Sequence, residues 1–436
     1  MPARIRIPAG QRGALSGSVP VVADPDILER ALLFAALAQG TSECRITQAP
    51  PSLAATLEVL AALGVESSEP RPGIRRIAGS GRAGLRAPAG SLDARGVPVL
   101  ARGLLGVLSA QPFESRLGPF EAPDVLAADL ELLRARGASA RGAGSEAQLG
   151  PQTGPLAGQA ALLPEPAPLT KHLVLMAGLY SDQTTSVSEP LLSADHTERL
   201  LDALGAPIRA AGPLVSLVPR GPIELSAFEF DAPGSLAAGA YVLAAAAVLP
   251  NSHVTLRDVT LNPTRSGFLE ALRSLGSQVG ITPKSVSLGE PAGEVSLKYH
   301  SLGAGKIGGE PMLRLDHQVH ALAVVAAHAA GESQLLDLGL VLSESEVAKL
   351  VGFLRSFGVQ AEGASDSMHI SGSAGRPFSP SRVTTGGDPR LAAMGVLLGL
   401  GAEGESVIDD VDSLAEFLPR FIGTLRALGA KMEVER

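Results

Sequence analysis

Tryptophan is absent from the 436-residue chain, and there are only 3 Tyr and 11 Phe. So few rings leave little material for stacking bases, which argues against a platform for single-stranded nucleic acid. Basic charge is also short. Against 44 Asp and Glu stand 36 Lys and Arg, a net charge of -8, and a general nucleic-acid binder needs the opposite balance. The deficit still leaves room for a local basic cleft that takes an anionic metabolite. Cysteine occurs once, at Cys44, so no intrachain disulfide can form, which fits a reducing cytoplasm. Cys44 begins a predicted strand after an apolar helix and reads as a buried structural thiol. Long apolar runs are missing too. The longest, from Ala238 to Pro250, is too short to cross a bilayer and reads as a buried helix. Behind the basic residues at the N-terminus there is no apolar h-region, so no signal peptide is expected.

What the chain does have is apolarity, 45% of its residues, supplied mainly by Ala, Leu and Val. Its length exceeds one ordinary core and predicts two domains of about 200 residues each. Six segments share one pattern, a Leu followed four residues later by a Gly and then a short strand. The pairs are Leu60 and Gly64, Leu133 and Gly137, Leu201 and Gly205, Leu272 and Gly276, Leu354 and Gly358, and Leu425 and Gly429. Successive glycines are 73, 68, 71, 82 and 71 residues apart. The Gly is expected to cap a helix in the left-handed conformation, and the Leu to lie on the inward face of that helix. A second six-fold pattern interleaves with it: an apolar helix, a small-residue turn and a strand, as in RALLFAALAQGTSECRI and ALAVVAAHAAGESQLLD. These helices are apolar nearly all round, so they are predicted core helices. A solenoid would also repeat, but the intervals exceed the roughly 20–50 residues usual for one.

Six such units, grouped three and three, resemble the enolpyruvyl transferases. Two local stretches select the branch. Ser193-Ala194-Asp195-His196-Thr197-Glu198-Arg199 resembles the Ser-Arg-Asp-His-Thr-Glu stretch of 5-enolpyruvylshikimate-3-phosphate (EPSP) synthases, and Asn262-Pro263-Thr264-Arg265-Ser266-Gly267 resembles their Asn-Pro-Thr-Arg-(Thr/Ser)-Gly turn. The resemblance covers nearly the whole chain. It implies an α/β fold, a two-domain inside-out α/β barrel of six βαβαββ-type repeats, three per domain, with helices inside and sheets outside. The implied domains are 23–230 and 1–22 plus 231–436. The chain would cross between them near Val22 and Phe230, and the family's active site is the cleft they form.

EPSP synthases join phosphoenolpyruvate to the 5-hydroxyl of shikimate 3-phosphate and release phosphate. Both substrates are polyanions, so a site for them needs Arg and Lys side chains, together with groups that donate and accept protons. By resemblance, the first family loop keeps its Arg as Arg30, while its Lys stands as Pro25 and a substrate-binding Ser as Asp26. Arg102 takes the place of a second phosphoenolpyruvate clamp, without the Gly-Thr pair that precedes it. The family's Arg-Arg-Pro stretch is replaced by Ala122-Pro123-Asp124-Val125, and its Ser-(Ser/Ala)-Gln falls on Ala167-Pro168-Leu169, followed by Lys171 and His172. Ala194 replaces an Arg, with Arg199 close by. In the second half, Asp-Glu-x-Pro aligns with His317-Gln318-Val319-His320, preceded by Asp316. The Lys-Glu-(Ser/Thr)-Asp-Arg motif keeps only its Glu, as Glu344, with Val347 at the Arg position. Asp-His-Arg reads Asp388-Pro389-Arg390. Phe417-Leu418-Pro419 resembles the family's (Ser/Thr)-Phe-Pro without a preceding Lys.

The candidate substrate-binding residues are therefore Arg30, Asp26, Arg102, Lys171, His172, Arg199 and Arg390. The candidate catalytic residues are Glu344, His317 and Asp316. The plain alternative for each cation is a solvated or structural salt bridge, and for Glu344 an ordinary helix-dipole partner. His317 and His320 have the spacing of a metal pair but no third ligand in sight, so no metal is expected, nor any cofactor. The expected partners are small anionic substrates, with no nucleic acid and no membrane. A monomer in the cytoplasm is expected. Two functions stay open: an EPSP-synthase-like enolpyruvyl transferase with a remodelled site, and a catalytically inactive homologue that binds a metabolite or a partner on the same scaffold.

Overall fold

Six glycines punctuate the fold. In the computed structural model, which describes residues 2–10 and 13–435 without the side chain of Asp316, Gly64, Gly137, Gly205, Gly276, Gly358 and Gly429 have φ of 84°, 85°, 77°, 84°, 77° and 115°. A Cβ is penalised there, so Gly is the residue that ends each helix. The caps are alike in their hydrogen bonds. The N–H of the residue after each Gly donates to the carbonyl of the Leu four residues before it, as in Val65 to Leu60 at 3.1 Å and Ala430 to Leu425 at 2.9 Å. All six of those Leu residues are buried. The repeat in the sequence is thus a repeated helix stop, with its Leu held in the core by the same turn.

The helices are α1 (Pro25–Leu37), α2 (Ser52–Ala62), α3 (Pro98–Leu108), α4 (Pro123–Arg134), α5 (Pro168–Gly178), α6 (His196–Ala203), α7 (Leu236–Val248), α8 (Gly267–Ser274), α9 (Glu310–Leu313), α10 (Val319–His328), α11 (Glu344–Ser356), α12 (Pro389–Leu400), α13 (Leu414–Phe417) and α14 (Phe421–Ala427). The second six-fold pattern forms α1, α3, α5, α7, α10 and α12, which are buried along most of their length. Among the described residues the strands form six sheets of four. In the first, Gln39–Arg45 pairs antiparallel with Ile74–Ser80 and parallel with Glu229–Asp231, a strand that arrives from far along the chain. Cys44 lies in that sheet, fully buried, and burial pushes its thiol up to about 12. The Ala238 to Pro250 run lies mostly within α7. No helix of the described residues is long and apolar enough to cross a membrane.

The chain divides into two compact units. One contains Ala23–Pro233 and Val286–Glu290; the other contains Met1–Val22, Gly234–Ser285 and Pro291–Arg436. Each has its own hydrophobic core. In the first unit, α3 and α5 approach closely because α3 carries Gly103 and Gly106. A Cβ on Gly106 would lie 2.4 Å from the Leu173 carbonyl oxygen and 2.8 Å from the Ala177 nitrogen. Both are main-chain atoms of α5, so the helices themselves would have to separate. Gly106→Ala is therefore expected to destabilise the protein by about 1–3 kcal/mol, the usual range for overpacking, read as a lower midpoint in a denaturant titration.

Candidate active site

The core helices begin with a shared device. Pro occupies the first helical position of α1, α3, α5 and α12, where its fixed φ suits the helix and its missing N–H is not needed. At α1 the Asp24 carboxylate accepts from the N–H groups of Asp26 and Ile27 at 3.0 and 3.3 Å. At α12 the Asp388 carboxylate accepts from those of Arg390 and Leu391 at 2.9 and 3.4 Å. A helix N-terminus is a natural seat for an anion. At these two it is occupied by the chain's own carboxylate.

In the Ala23–Pro233 unit, Arg30 points back along α1 and is buried. Its Nε donates to Thr197 Oγ1 at 3.0 Å and its Nη1 to the Asp26 carbonyl oxygen at 2.5 Å. Asp26 is half-buried and meets Arg30 through its main chain. Thr197 Oγ1 also lies 2.9 Å from His172 Nδ1. Burial, aided by the Arg30 charge, holds His172 well below the usual imidazole range, so it is neutral. Lys171 is 1% exposed and sits between two carboxylates, 3.0 Å from Glu189 and 2.8 Å from Glu198. Glu189 in turn accepts from the Ala167 N–H and from Ser193 Oγ, both at 2.8 Å. Burial raises the Glu198 carboxyl although Lys171 pulls against it. Arg102 is ion-paired with buried Asp129 and lies over the Phe120 ring. Arg199 pairs with Asp195 one turn earlier on its helix at 2.8 Å.

A further buried carboxylate of this unit was also not among the candidates. Glu29 is 2% exposed and accepts the Leu100 N–H at 2.9 Å, in the first turn of α3. Burial pushes its carboxyl up to about 7, with the Leu100 hydrogen bond opposing.

In the other unit, Arg390 Nη2 lies 2.8 Å from Glu346 and 3.3 Å from Asp388. Burial works to raise Glu346, but hydrogen bonds from Ser343 and Arg390 outweigh it and hold the carboxyl below its usual range. Glu344 is exposed in the first turn of α11; the carboxylate that meets Arg390 is Glu346, which also closes a capping box with Ser343. His317 is exposed, with its ring edge-on to Phe417 at 6.3 Å, and its carbonyl oxygen accepts from the Tyr241 hydroxyl at 2.9 Å. His320 is the buried member of the histidine pair. Burial, followed by the nearby Arg390 charge, pushes it down to about 4. Asp316 opens a short 3-10 turn before α10, and its side chain lies outside the described residues.

The structure therefore brings together Arg30 and His172 through Thr197, and Lys171 with two acids. It sets Arg102, Arg199 and Arg390 each against carboxylates of the same unit. Thr197, Glu189, Glu198, Asp129 and Glu346 were not read as site residues. A signal existed for three of them: Thr197 and Glu198 lie in the EPSP-like stretch, and Ser343-x-x-Glu346 is a capping-box pattern.

The chain matches the EPSP synthase (3-phosphoshikimate 1-carboxyvinyltransferase) family over residues 10–425. It is 33% identical over 423 residues to a 3-phosphoshikimate 1-carboxyvinyltransferase from Desulforamulus reducens, covering 94% of this chain and 96% of that one. An Acidithiobacillus ferrooxidans protein of the same name is 33% identical over 424 residues, 96% of this chain and 97% of the relative. The EPSP synthase structure from Acinetobacter baumannii superposes with a TM-score of 0.90 at 27% identity, covering all of both chains. The enolpyruvyl transferase NikO from Streptomyces tendae, at 20% identity and a TM-score of 0.79 over 100% of this chain and 99% of that one, shares the fold. A family match from near the start of the chain to near its end, with relatives a third identical over nearly all their length, shows that this chain belongs to the EPSP synthase family.

Proposed function

We propose that the protein is an EPSP-synthase-type enolpyruvyl transferase with a remodelled anion site. It would pass the enolpyruvyl group of phosphoenolpyruvate to the 5-hydroxyl of shikimate 3-phosphate and release phosphate. The observation that carries this reading is membership of the family over nearly the whole chain. The retained Arg30 and Arg390, in matching motif context, support it. Both substrates are small anions, and their charge is what two guanidinium groups would recognise. The protein would work as a monomer in the cytoplasm, without a metal or cofactor.

Remodelling sets the expected rate. Removing one transition-state donor lowers kcat by about 100- to 1,000-fold, and removing an acid–base group by about 100- to 10,000-fold. Pro25 in place of a Lys and His317 in place of an Asp remove one of each kind. Purified protein supplied with both substrates is expected to release phosphate at least ~10⁴-fold more slowly than an ordinary family member. Arg390→Ala is expected to lose what remains. Phosphate release no higher than in the Arg390→Ala control would reject the transferase reading.

A second reading is favoured by one observation. Lys171, Arg102, Arg199 and Arg390 are each paired with carboxylates of the chain itself. A scaffold whose cations are already neutralised suits a non-catalytic binding protein for a ligand less anionic than the family's substrates. Thermal stabilisation by shikimate 3-phosphate without phosphate release would point to a binder of the family's ligand. Stabilisation by neither substrate would point to a different ligand class.

A further inference from the structure

Arg30, His172 and Thr197 come from α1, α5 and α6 and meet at one hydroxyl. Arg30 Nε is always a donor, so its 3.0 Å hydrogen bond uses a lone pair of Thr197 Oγ1. Thr197 Oγ1 keeps a second lone pair and its proton and lies 2.9 Å from His172 Nδ1, so the imidazole tautomer sets which of the two donates. With the hydroxyl as donor, Nδ1 is the acceptor and the imidazole proton sits on Nε2. Nε2 has no hydrogen-bond partner among the described residues, and a Cβ built on Gly103 would approach it to 2.4 Å. Thr197 is 2% exposed and His172 fully buried, so water does not compete for either hydrogen bond. The second tie on the guanidinium, from Nη1 to the Asp26 carbonyl oxygen, fixes its plane.

We propose that Thr197, backed by His172, is a positioning residue for Arg30: the threonine hydroxyl holds the guanidinium plane so that Arg30 meets an anionic substrate group in one orientation. The order of donors is Arg30 Nε–H to Thr197 Oγ1, then Thr197 O–H to His172 Nδ1. No proton is transferred along it. Its value is pre-organisation, since a fork already held in place loses less entropy when an anion arrives. The naming of the substrate rests on the transferase reading; the hydrogen-bond order does not.

The experiment compares wild type, Thr197→Val and Thr197→Ser. Valine keeps the volume and removes the hydroxyl, while serine keeps the hydroxyl. Phosphate release is measured against phosphoenolpyruvate concentration, alongside thermal melts. ¹⁵N–¹H NMR spectra of the histidine rings show which nitrogen of His172 carries the proton. A hydrogen bond to a charged group is worth roughly 10- to 100-fold, so Thr197→Val is expected to raise KM by about that factor with kcat much less changed, and Thr197→Ser to restore it. His172 in wild type is expected as the Nε2–H tautomer. Equal KM in wild type and Thr197→Val, or Thr197→Ser as impaired as Thr197→Val, would overturn the positioning role. If wild type shows no turnover, the transferase reading fails, and the NMR spectra alone decide the relay. Nε2–H with an acceptor Nδ1, altered in Thr197→Val, supports it; Nδ1–H or an imidazolium in wild type overturns it.

Discussion

Replacing Lys171 with Met is expected to destabilise the protein by about 3–5 kcal/mol, the usual consequence of removing one partner from a buried ion pair. The side chain is 1% exposed, and its ammonium lies within 3.0 Å of both Glu189 and Glu198. Without it, two buried carboxylates face each other across the space it leaves. Glu198, already raised by burial, would take up a proton first. The loss is therefore expected to be largest near pH 8 and smaller near pH 5, where that proton is available. The triple variant Lys171→Met, Glu189→Gln, Glu198→Gln is expected to recover most of the loss, because neutral groups of similar volume remove the unpaired charge. Denaturant midpoints at the two pH values read this directly. A Lys171→Met protein with a wild-type midpoint would mean that the ammonium does not serve the fold, and would return Lys171 to ligand binding.

Glu29→Gln is expected to stabilise the protein at pH 8, by up to about 3 kcal/mol, and to change little near pH 4. The carboxyl rises from 4.5 to about 7 on folding, because burial outweighs the hydrogen bond from the Leu100 N–H. Between those two values the folded chain holds a proton that the unfolded chain has released. Stability contributed through Glu29 is thus present at low pH and falls as pH rises toward 7. Gln keeps a carbonyl oxygen to accept from Leu100 and has no charge to bury, so the variant is expected to lack that slope. Urea titrations of both proteins from pH 4 to pH 8 measure the difference. Parallel stability curves would mean that Glu29 is solvated.

The two effects have opposite signs for one reason. Lys171 and its acids were buried together with their partners, whereas Glu29 was buried against the Leu100 N–H and Ser52, with no ion-pair partner among the described residues. Both residues belong to the unit that holds Arg30. That unit has spent its buried charge on holding helices: Glu189 binds the N–H that precedes α5, and Glu29 binds one in the first turn of α3. A carboxylate at a helix start is a favourable partner of the helix dipole, but at Glu29 burial outweighs that interaction.

How far the site was legible depended on the kind of signal each residue left. Arg30 and Arg390 were proposed from motif position, Arg390 beside a retained Asp388. Glu344 was read as a candidate because it matches the Glu of the family motif; the carboxylate that reaches Arg390 is Glu346, the third helical residue, which also reaches back to Ser343. Lys171 was read as a candidate anion ligand because it follows Ala167-Pro168-Leu169, where the resemblance places a phosphate-binding motif. Its partners lie after the next strand and on α6, and nothing periodic links them to it. His172 was read as a candidate anion ligand, but burial keeps it neutral, as it does His320.

The sequence by itself determined the six helix stops and the six core helices. A Gly that must adopt positive φ, a Leu one turn before it and an all-apolar helix are local demands, met within a few residues of chain. Only the tertiary structure decided which charges neutralise one another: Lys171 with Glu189 and Glu198, Arg102 with Asp129, and Arg390 with Glu346. Pairing of buried charge depends on which side chains packing brings within a few ångströms, and that distance is set by the assembled core rather than by spacing along the chain.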